Sequence, residues 1–385
     1  MKNFNGRIIS KLPNEGTSIF AVMSKMATEH NAINLSQGFP DFEVSGELIG
    51  LIHENMKKGH NQYAPMTGVP EIRERIAEKY LQDHDAVYDK ETEINITAGA
   101  TQAIFTVISA FIKEDDEAII FEPAYDSYAP AVKLNGGRVK YSRLTFPDFG
   151  INWNEFPGLI NHRTKLIIIN TPHNPTGSLL KEEDMIKLEH IIRNRDIIIL
   201  SDEVYEHLIF DSHIHQSVCR FQGLAERSFV IGSFGKTFHA TGWKMGYALA
   251  PDNLMREFRK AHQFIVFTCN TPVQMAIAEF MKNRENYLHV AEMYEKKRNY
   301  FVKALKKSRF SIIPSYGTYF QLLDYSRISD EDDMSFSERL LKEHGVASIP
   351  VSPFVSGKYD KKLLRFCFAK QKKTLDKATE ILCRI

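Results

Sequence analysis

Three apolar runs decide the fold: KLIIIN at residues 165–170, DIIIL at 196–200 and SFVIG at 228–232, with EAIIF at 117–121 ahead of them. Each run is short, rich in β-branched residues and followed at once by polar residues. Continuous apolar runs of this kind are typical of strands that are covered on both faces, as in a parallel sheet between helices. Because helical segments alternate with the runs, we predict an α/β fold with a mainly parallel sheet.

One of these helical segments begins near the sequence TAGATQ (97–102). Its apolar residues recur at intervals of three and four positions, which places them on one face of a helix. They are Ile104, Val107, Ile108, Phe111 and Ile112.

The C-terminal part of the chain has a different pattern. From about Glu285 a charged helical segment precedes shorter strand-like pieces, namely SIIPSYGTYFQLLD, ASIPVSPF and LLRFCFAK. We therefore predict a large domain over residues 43–285 with the parallel sheet, and a smaller α+β domain. The smaller domain would comprise residues 286–385 and an N-terminal arm, 1–42, whose segment 32–42 could return to join it.

Composition argues against several classes of partner. The 385 residues include 49 basic and 48 acidic side chains, a net charge of +1, so no charge excess favours nucleic acid or an anionic membrane. No apolar run is long enough to span a bilayer, and no histidine or cysteine spacing is typical of a metal site. The four cysteines are widely spaced and form no CxxC motif, which favours a reducing, cytoplasmic location.

Polar side chains follow the apolar runs. Asn174 follows the first run, Asp202 and Tyr205 follow the second, and Ser233 and Lys236 follow the third. Ligands of open parallel sheets bind at the carboxyl ends of the strands, so we expect these five side chains to share one site.

Gly99, Ala100 and Thr101 stand at the start of the predicted helix, where backbone N–H groups and the helix dipole can bind a phosphate. A lysine, a carboxylate, a phenol, an amide and a phosphate site are together what pyridoxal 5′-phosphate (PLP) requires. Lys236 would form an imine with its aldehyde, and Asp202 would keep its ring nitrogen protonated. Each residue alone has an ordinary explanation as a cap, turn or surface residue, and only the combination carries the hypothesis.

The same segments resemble a known family. NLSQGFPDF, NQYAPMTGVPEIR, TAGATQA, EPAYDSY, NTPHNPTG, SDEVYEH, SFGKTFHATGWKMGY, GTYF and RFCFAK occur in order between residue 34 and about residue 370. They are similar to the fold-type-I PLP aminotransferases of class I and II, and within them to the methionine and kynurenine aminotransferase group. The resemblance implies the aspartate-aminotransferase-like fold.

The resemblance also implies a role for each matched residue. Lys236 is the expected catalytic residue, which holds PLP as a Schiff base and carries the Cα proton. Tyr63 is expected to reach the phosphate of a partner subunit, which implies a homodimer. Lys244 stands where many relatives carry arginine, and keeps the charge without the forked geometry. The residues expected to bind PLP are Tyr63, Ala100, Thr101, Tyr125, Asn174, Asp202, Tyr205, Ser233, Lys236 and Lys244.

For the substrate, the resemblance implies that Arg365 binds the α-carboxylate, helped by Asn174 and the backbone at Gly38. A planar guanidinium can hold a carboxylate through two parallel hydrogen bonds. The expected side-chain pocket is apolar or aromatic and has no second arginine, which favours methionine, phenylalanine or kynurenine-like donors over aspartate. Its expected lining is Ile19, Phe39, Tyr63, Tyr125 and, from a partner subunit, Phe267.

Three other functions are alternatives to an aminotransferase. A C–S β-lyase would use the same site and the same removal of the Cα proton, and the sequence leaves this alternative open. A PLP-bound regulator is disfavoured because no basic extension for DNA binding is present. A P-loop NTPase is excluded because Val230 stands where the first glycine of that motif is required. We predict a ping-pong aminotransferase acting on an amino acid and a 2-oxo acid.

Overall fold

The computed structural model describes residues 3–385. Its strands are β1 (Ile33–Asn34), β2 (Ile94–Thr97), β3 (Glu117–Glu122), β4 (Arg138–Arg143), β5 (Thr164–Asn170), β6 (Ile198–Asp202), β7 (Ser228–Ser233), β8 (Gly246–Leu249), β9 (Ser311–Ile312), β10 (Phe320–Asp324), β11 (Val346–Ala347), β12 (Ile349–Pro350) and β13 (Leu363–Cys367).

The α-helices are α1 (Ile19–Glu29), α2 (Gly46–Lys57), α3 (Pro70–His84), α4 (Ala100–Phe111), α5 (Tyr128–Leu134), α6 (Phe156–Leu159), α7 (Glu182–Ile192), α8 (Gln222–Ala225), α9 (Phe234–Thr237), α10 (Asp252–Ile265), α11 (Thr271–Phe280), α12 (Glu285–Leu288), α13 (Val290–Leu305), α14 (Asp333–His344) and α15 (Lys372–Leu382). Short 3₁₀ helices lie at Val218–Arg220, Thr241–Trp243 and Ser352–Phe354.

A seven-stranded sheet forms the centre of the molecule, in the order β2-β8-β7-β6-β5-β3-β4. Strands β3 to β7 are parallel to one another, as predicted from the apolar runs. Strand β8 is antiparallel to both β2 and β7, which the runs did not reveal. The α/β prediction is confirmed, with one antiparallel strand in the sheet.

The apolar runs form strands because both faces of the sheet are buried. In β5, Leu166 and Ile168 point to one hydrophobic cluster, and Ile167 and Ile169 point to the other. Successive side chains of a strand point to opposite faces of the sheet. Because helices cover both faces, apolar residues are favoured at every position, and the strand appears in the sequence as an uninterrupted apolar run. The helix predicted after TAGATQ is α4, and its predicted apolar residues lie in or against the cluster that contains Leu166 and Ile168.

A second group of elements follows α12. Strands β12, β13, β10 and β9 form a four-stranded sheet, in which β10 and β13 are antiparallel. Strand β1 comes from the N-terminal part of the chain and pairs in parallel with β11. The segment 32–42 therefore contacts the C-terminal part, although the domain limits at residues 43 and 285 stay a prediction.

The segment that leaves β6 is fixed by buried charges. Glu203 accepts a hydrogen bond from Ser201 and lies 2.7 Å from His215 Nε2. Glu206 lies 2.5 Å from Lys79 Nζ, and both side chains are buried. Because a buried charge without a partner is costly, these pairs fix the backbone of residues 201–206, which carries two of the predicted site residues.

No helix among residues 3–385 has the length and hydrophobicity needed to cross a membrane.

Candidate active site

A cavity of about 210 Å³ opens at the carboxyl ends of β5, β6 and β7. The loop before the antiparallel strand β8 and the start of α4 reach the same edge of the sheet. Most of the predicted site residues line this cavity: Gly38, Ala100, Thr101, Tyr125, Asn174, Asp202, Tyr205, Ser233, Lys236, Lys244 and Arg365.

Asp202 ends β6 and is buried. Its carboxylate accepts a hydrogen bond from Tyr128 Oη at 2.5 Å and a longer one from the Val204 N–H. Burial raises the pKa of Asp202 to about 6, although the Tyr128 hydrogen bond opposes this. No lysine, arginine or histidine within residues 3–385 forms an ion pair with it, which fits a protonated N–H group of a ligand as its partner.

Lys236 lies on α9, directly after β7. Its Nζ atom is 2.7 Å from the Tyr319 hydroxyl and 3.5 Å from the Gly38 carbonyl oxygen. Burial is the main reason that the pKa of Lys236 is lowered to about 8; nearby Arg365 acts in the same direction, whereas Cys367 opposes the shift. A lysine with a lowered pKa has a larger share of neutral amine near pH 7 and is a stronger candidate for a nucleophile or a base.

Arg365 lies on β13 and is almost completely buried. It donates to Asn174 Oδ1 at 2.7 Å and to the Ser36 carbonyl at 3.1 Å, and its guanidinium is 3.8 Å from the Phe320 ring centroid. Burial lowers its pKa to about 10. No carboxylate within the described part of the chain pairs with it, which fits a carboxylate ligand.

The opposite end of the cavity suits a phosphate. Gly99 precedes α4 with φ +81°, and a Cβ atom at this position would lie 3.4 Å from Lys244 Nζ. The twelve-residue helix α4 presents the N–H groups of Ala100 and Thr101 there, with Ser233 also in the lining. Backbone N–H groups, a hydroxyl and an ammonium group form a site for an anion.

The other predicted contacts lie between these ends. Tyr125 contacts Thr101 across 3.5 Å between hydroxyl oxygens, and its ring faces the cavity. Asn174 is held by a hydrogen bond from its own N–H to Asn170 Oδ1. Tyr205 packs edge-on against Tyr319, with 5.2 Å between ring centroids, and burial raises its pKa.

Three residues that were predicted to contact the site lie outside the cavity lining of this chain: Ile19, Phe39, which is 44% exposed, and Tyr63. Ile19 is buried in a hydrophobic cluster with Met23, and its neighbour Phe20 lines the cavity instead. Tyr63 is 80% exposed and packs edge-on against Phe267, beside a separate open cleft. In this single chain, Ile19 and Tyr63 therefore do not line the cavity in which their predicted roles would place them.

Sequence reasoning missed four aromatic contributors: Phe20, Tyr128, Tyr319 and Phe320. Tyr128 and the pair Tyr319–Phe320 lie within the motifs EPAYDSY and GTYF. In the sequence, these residues are recognisable only as aromatic residues within matched motifs. The hydrogen-bond partners of the two tyrosines are evident only from the structure.

The cavity therefore fits PLP on its own chemistry. A buried carboxylate without a cation suits the protonated ring nitrogen, a lysine with a lowered pKa suits the aldehyde, and the α4 N-terminus suits the phosphate. A buried arginine without an anion stands ready for the carboxylate of an amino acid. Fold and site together define a PLP-dependent enzyme of the fold-type-I class that acts on amino acids.

Comparison with known proteins narrows the class. Residues 30–382 match the family model for aminotransferase class I and II. The chain is 46% identical over 374 residues to the methionine aminotransferase of Escherichia coli (strain K12), covering 97% of both proteins. It is 31% identical to human kynurenine–oxoglutarate transaminase 1, with 93% of each chain covered.

Solved structures agree with this. The crystal structure of an Escherichia coli protein identified as a methionine aminotransferase superposes with a TM-score of 0.96 and 46% identity, over 98% of this chain and 100% of that one. An N-succinyldiaminopimelate aminotransferase from Mycobacterium tuberculosis gives a TM-score of 0.94 at 34% identity, over 98% and 100%. The chain belongs to the class I and II aminotransferases.

Family membership confirms several predictions. The protein is a transferase of amino groups, depends on PLP and takes amino acids and 2-oxo acids as substrates. The resemblance to the methionine and kynurenine aminotransferase group and the aspartate-aminotransferase-like fold are also confirmed. The role of each site residue stays a prediction.

We expect Tyr128→Phe to weaken PLP binding about 10-fold at pH 7, the effect of losing about one hydrogen bond to a charged group. The lost hydrogen bond stabilises the charged form of Asp202, so the pKa of Asp202 should rise above its value of about 6. As the pH is lowered, the affinity of Tyr128→Phe for PLP should therefore begin to fall at a higher pH than that of the wild type.

The measurement is the PLP dissociation constant of the apoprotein as a function of pH. Tyr80→Phe is the matched control, because Tyr80 is also buried and its hydroxyl has no hydrogen-bond partner among residues 3–385. Equal affinities and equal pH midpoints for Tyr128→Phe and Tyr80→Phe would remove Tyr128 from the site.

Proposed function

We propose that this aminotransferase moves the amino group of an L-amino acid with an apolar or aromatic side chain to a 2-oxo acid by a ping-pong mechanism. Methionine, phenylalanine and kynurenine-like amino acids are the proposed donors. The names of its relatives cover several substrates, including aspartate for a Pyrococcus abyssi protein at 33% identity. The choice of substrate therefore depends on the cavity itself.

The observation that carries this choice is the number of cations at the cavity wall. The lining contains three, Lys236, Lys244 and Arg365, and each has a proposed ligand group already. Lys244 faces the phosphate end, Lys236 the reacting atoms and Arg365 the α-carboxylate. A second carboxylate on the donor would find no cation from this chain, whereas Phe20 and Tyr125 offer it apolar surface.

In this proposal, Lys236 is the proton carrier. PLP, when bound, supplies an aldehyde that reacts with amines and a ring that accepts the electron pair left on Cα. Lys236 Nζ takes the proton from the substrate Cα atom in one half-reaction and returns a proton to Cα in the other. Its pKa of about 8 lets it carry out both transfers near neutral pH.

Arg365 orients the donor. Its guanidinium is already fixed by Asn174 and the Ser36 carbonyl, so little side-chain freedom is lost when a carboxylate binds. The Gly38 carbonyl oxygen lies 3.5 Å from Lys236 Nζ, and in the proposal the amino acid binds between Arg365 and Lys236.

The other proposed contacts concern the cofactor. Asp202 would hold the ring nitrogen, and Tyr205 and Asn174 the ring oxygen. Tyr125 would stack on the ring. The phosphate would be bound by Ala100, Thr101, Ser233 and Lys244, all of which line the cavity.

A homodimer is proposed from the surface around Tyr63. Tyr63 is 80% exposed and lines the open cleft beside Thr268 and Asn270, and Phe267, which is 47% exposed, packs edge-on against it. Phe264, three residues before Phe267, is 87% exposed. A second copy of the chain would cover these aromatic side chains and bring Tyr63 to its phosphate site.

We expect wild-type protein to lose the visible absorbance of bound PLP when methionine or phenylalanine is added, with one 2-oxo acid formed per site. Aspartate should react at least about 10-fold less efficiently, because its second carboxylate enters a cavity without a free cation. Absorbance and 2-oxo acid are followed with a panel of amino acids.

The control variant is Lys236→Ala, which should give neither the absorbance nor the product. Lys260→Ala, on an exposed part of α10, should behave as the wild type. Ammonia release without loss of absorbance would favour the C–S β-lyase. Full turnover by Lys236→Ala would exclude the proposed mechanism.

We expect Arg365→Lys to raise the KM for methionine about 100-fold, because lysine keeps the charge but loses the two parallel hydrogen bonds to the carboxylate. Steady-state kinetics measure the effect. Arg339→Lys is the control, since Arg339 pairs with Glu331 on the surface. An unchanged KM together with a lower melting temperature would assign Arg365 a structural role.

We expect Phe264→Glu to shift the protein towards the monomer, because a charge cannot be buried in the interface without a partner. Light scattering after size-exclusion chromatography measures the mass. Val87→Glu is the control, because Val87 is similarly exposed, at 81%, on another part of the surface. A wild-type monomer, or no difference between the two variants, would contradict the proposed interface.

A further inference from the structure

Tyr319 links the proposed catalytic lysine to the substrate-binding segment. It lies just before β10 and is completely buried. Its hydroxyl forms a short hydrogen bond to the Gly38 carbonyl oxygen and lies 2.7 Å from Lys236 Nζ. These two contacts join three segments that are far apart in the sequence, and the second of them reaches the reactive amine.

The hydrogen-bond directions follow from the number of protons. A phenol has one proton to donate, and a backbone carbonyl can only accept. The Tyr319 proton is therefore committed to the Gly38 oxygen, and the Tyr319 oxygen must accept from Lys236. Burial raises the pKa of Tyr319 well above its usual value, so the hydroxyl stays neutral throughout the working pH range.

An amine that donates one N–H to a fixed acceptor keeps its lone pair free and loses rotational freedom. In the structure, Tyr319 is held in place by packing against Tyr205 at 5.2 Å, Phe320 at 4.8 Å and Tyr294 at 5.7 Å between ring centroids. The acceptor is thus rigid, and it directs Lys236 Nζ from one side.

We propose that Tyr319 is a positioning residue, which accepts a hydrogen bond from the free Lys236 amine and holds its lone pair towards the substrate Cα atom. The inference rests on the proposed role of Lys236 as the proton carrier. When Nζ takes the Cα proton, the resulting ammonium gains one more N–H, and Tyr319 stabilises that charged form. The electron pair of the broken C–H bond stays with the substrate–cofactor unit.

Other groups also act on Lys236 and must be separated from Tyr319 in any test. The charged or titratable neighbours that face it are Asp202, Tyr205, Lys244, Arg365 and Cys367. A variant that changes one oxygen atom leaves all of these in place.

The test compares Tyr319→Phe with Tyr294→Phe. Both residues are completely buried tyrosines, and the Tyr294 hydroxyl interacts with His239 Nδ1 at 3.0 Å, away from Lys236. Each change removes one oxygen and keeps the ring. Melting temperatures of the two apoproteins verify that both fold.

The first measurement needs no cofactor. The acetylation rate of Lys236 in the apoprotein, followed by mass spectrometry against pH, gives its pKa, because only the neutral amine reacts. The wild type should give a pKa of about 8. Loss of the acceptor destabilises the ammonium, so Tyr319→Phe should lower this pKa by about one unit, and Tyr294→Phe should leave it unchanged.

The second measurement is the single-turnover reaction of the PLP-loaded enzyme with methionine and with α-deuterated methionine. Tyr319→Phe should slow the reaction about 10-fold at saturating methionine and enlarge the isotope effect, because Cα proton transfer becomes slower than the other steps. Tyr294→Phe should match the wild type in both respects.

A Lys236 pKa that is the same in Tyr319→Phe and Tyr294→Phe would overturn the inference, and so would equal slowing by both variants. The proposed function fails separately. If the wild type does not convert any amino acid but the Lys236 pKa still responds to Tyr319→Phe, the hydrogen bond is verified and the aminotransferase proposal for Lys236 is not.

Discussion

Asp202, Lys236 and Arg365 face one cavity, and none of them forms an ion pair within residues 3–385. Burying a charge without an opposite charge is costly, and the pKa values of all three groups are shifted towards the neutral form by burial. In the proposed mode of binding, a protonated ring nitrogen and an α-carboxylate would supply the two missing charges. The binding of ligands therefore relieves a cost that the fold alone leaves in place.

The residues around Asp202 and Arg365 are held in place by further contacts. Asp202 stands at the end of a strand whose next turn is held by the buried pairs of Glu203 and Glu206. Arg365 is sandwiched against Phe320 and bonded to Asn174. A charged group that cannot move away from its unfavourable position stays available to a ligand, which is the usual basis of preorganised binding.

Much of this could be predicted from the sequence, because apolar runs define strands and the residue after a strand is placed by the sheet. Asp202, Ser233 and Lys236 were found in this way. Strand β8 has no turn signal that gives its direction, so its antiparallel pairing was missed. Tyr128 and Tyr319 could be taken for core aromatics, because the partners of their hydroxyls, Asp202 and Gly38, lie 74 and 281 residues away in the sequence.

Two predicted contacts show another limit. Helical geometry turns Ile19 into the hydrophobic cluster under α1 and leaves Phe20 on the cavity side, and a one-residue difference cannot be decided without the helix register. Tyr63 lies on the surface of the single chain, and its predicted partner is a second copy. The sequence pattern of one chain does not indicate which of its surface residues contact a second copy.

The hydrogen bond from Arg365 to the Ser36 carbonyl joins residues 329 positions apart. During synthesis from the N-terminus, Ser36 leaves the ribosome early and Arg365 leaves it almost at the end. All residues proposed to hold the cofactor within one subunit, from Ala100 to Lys244, emerge before the arginine does. A polypeptide whose translation stops short of residue 365 carries those groups and has no clamp for an amino acid.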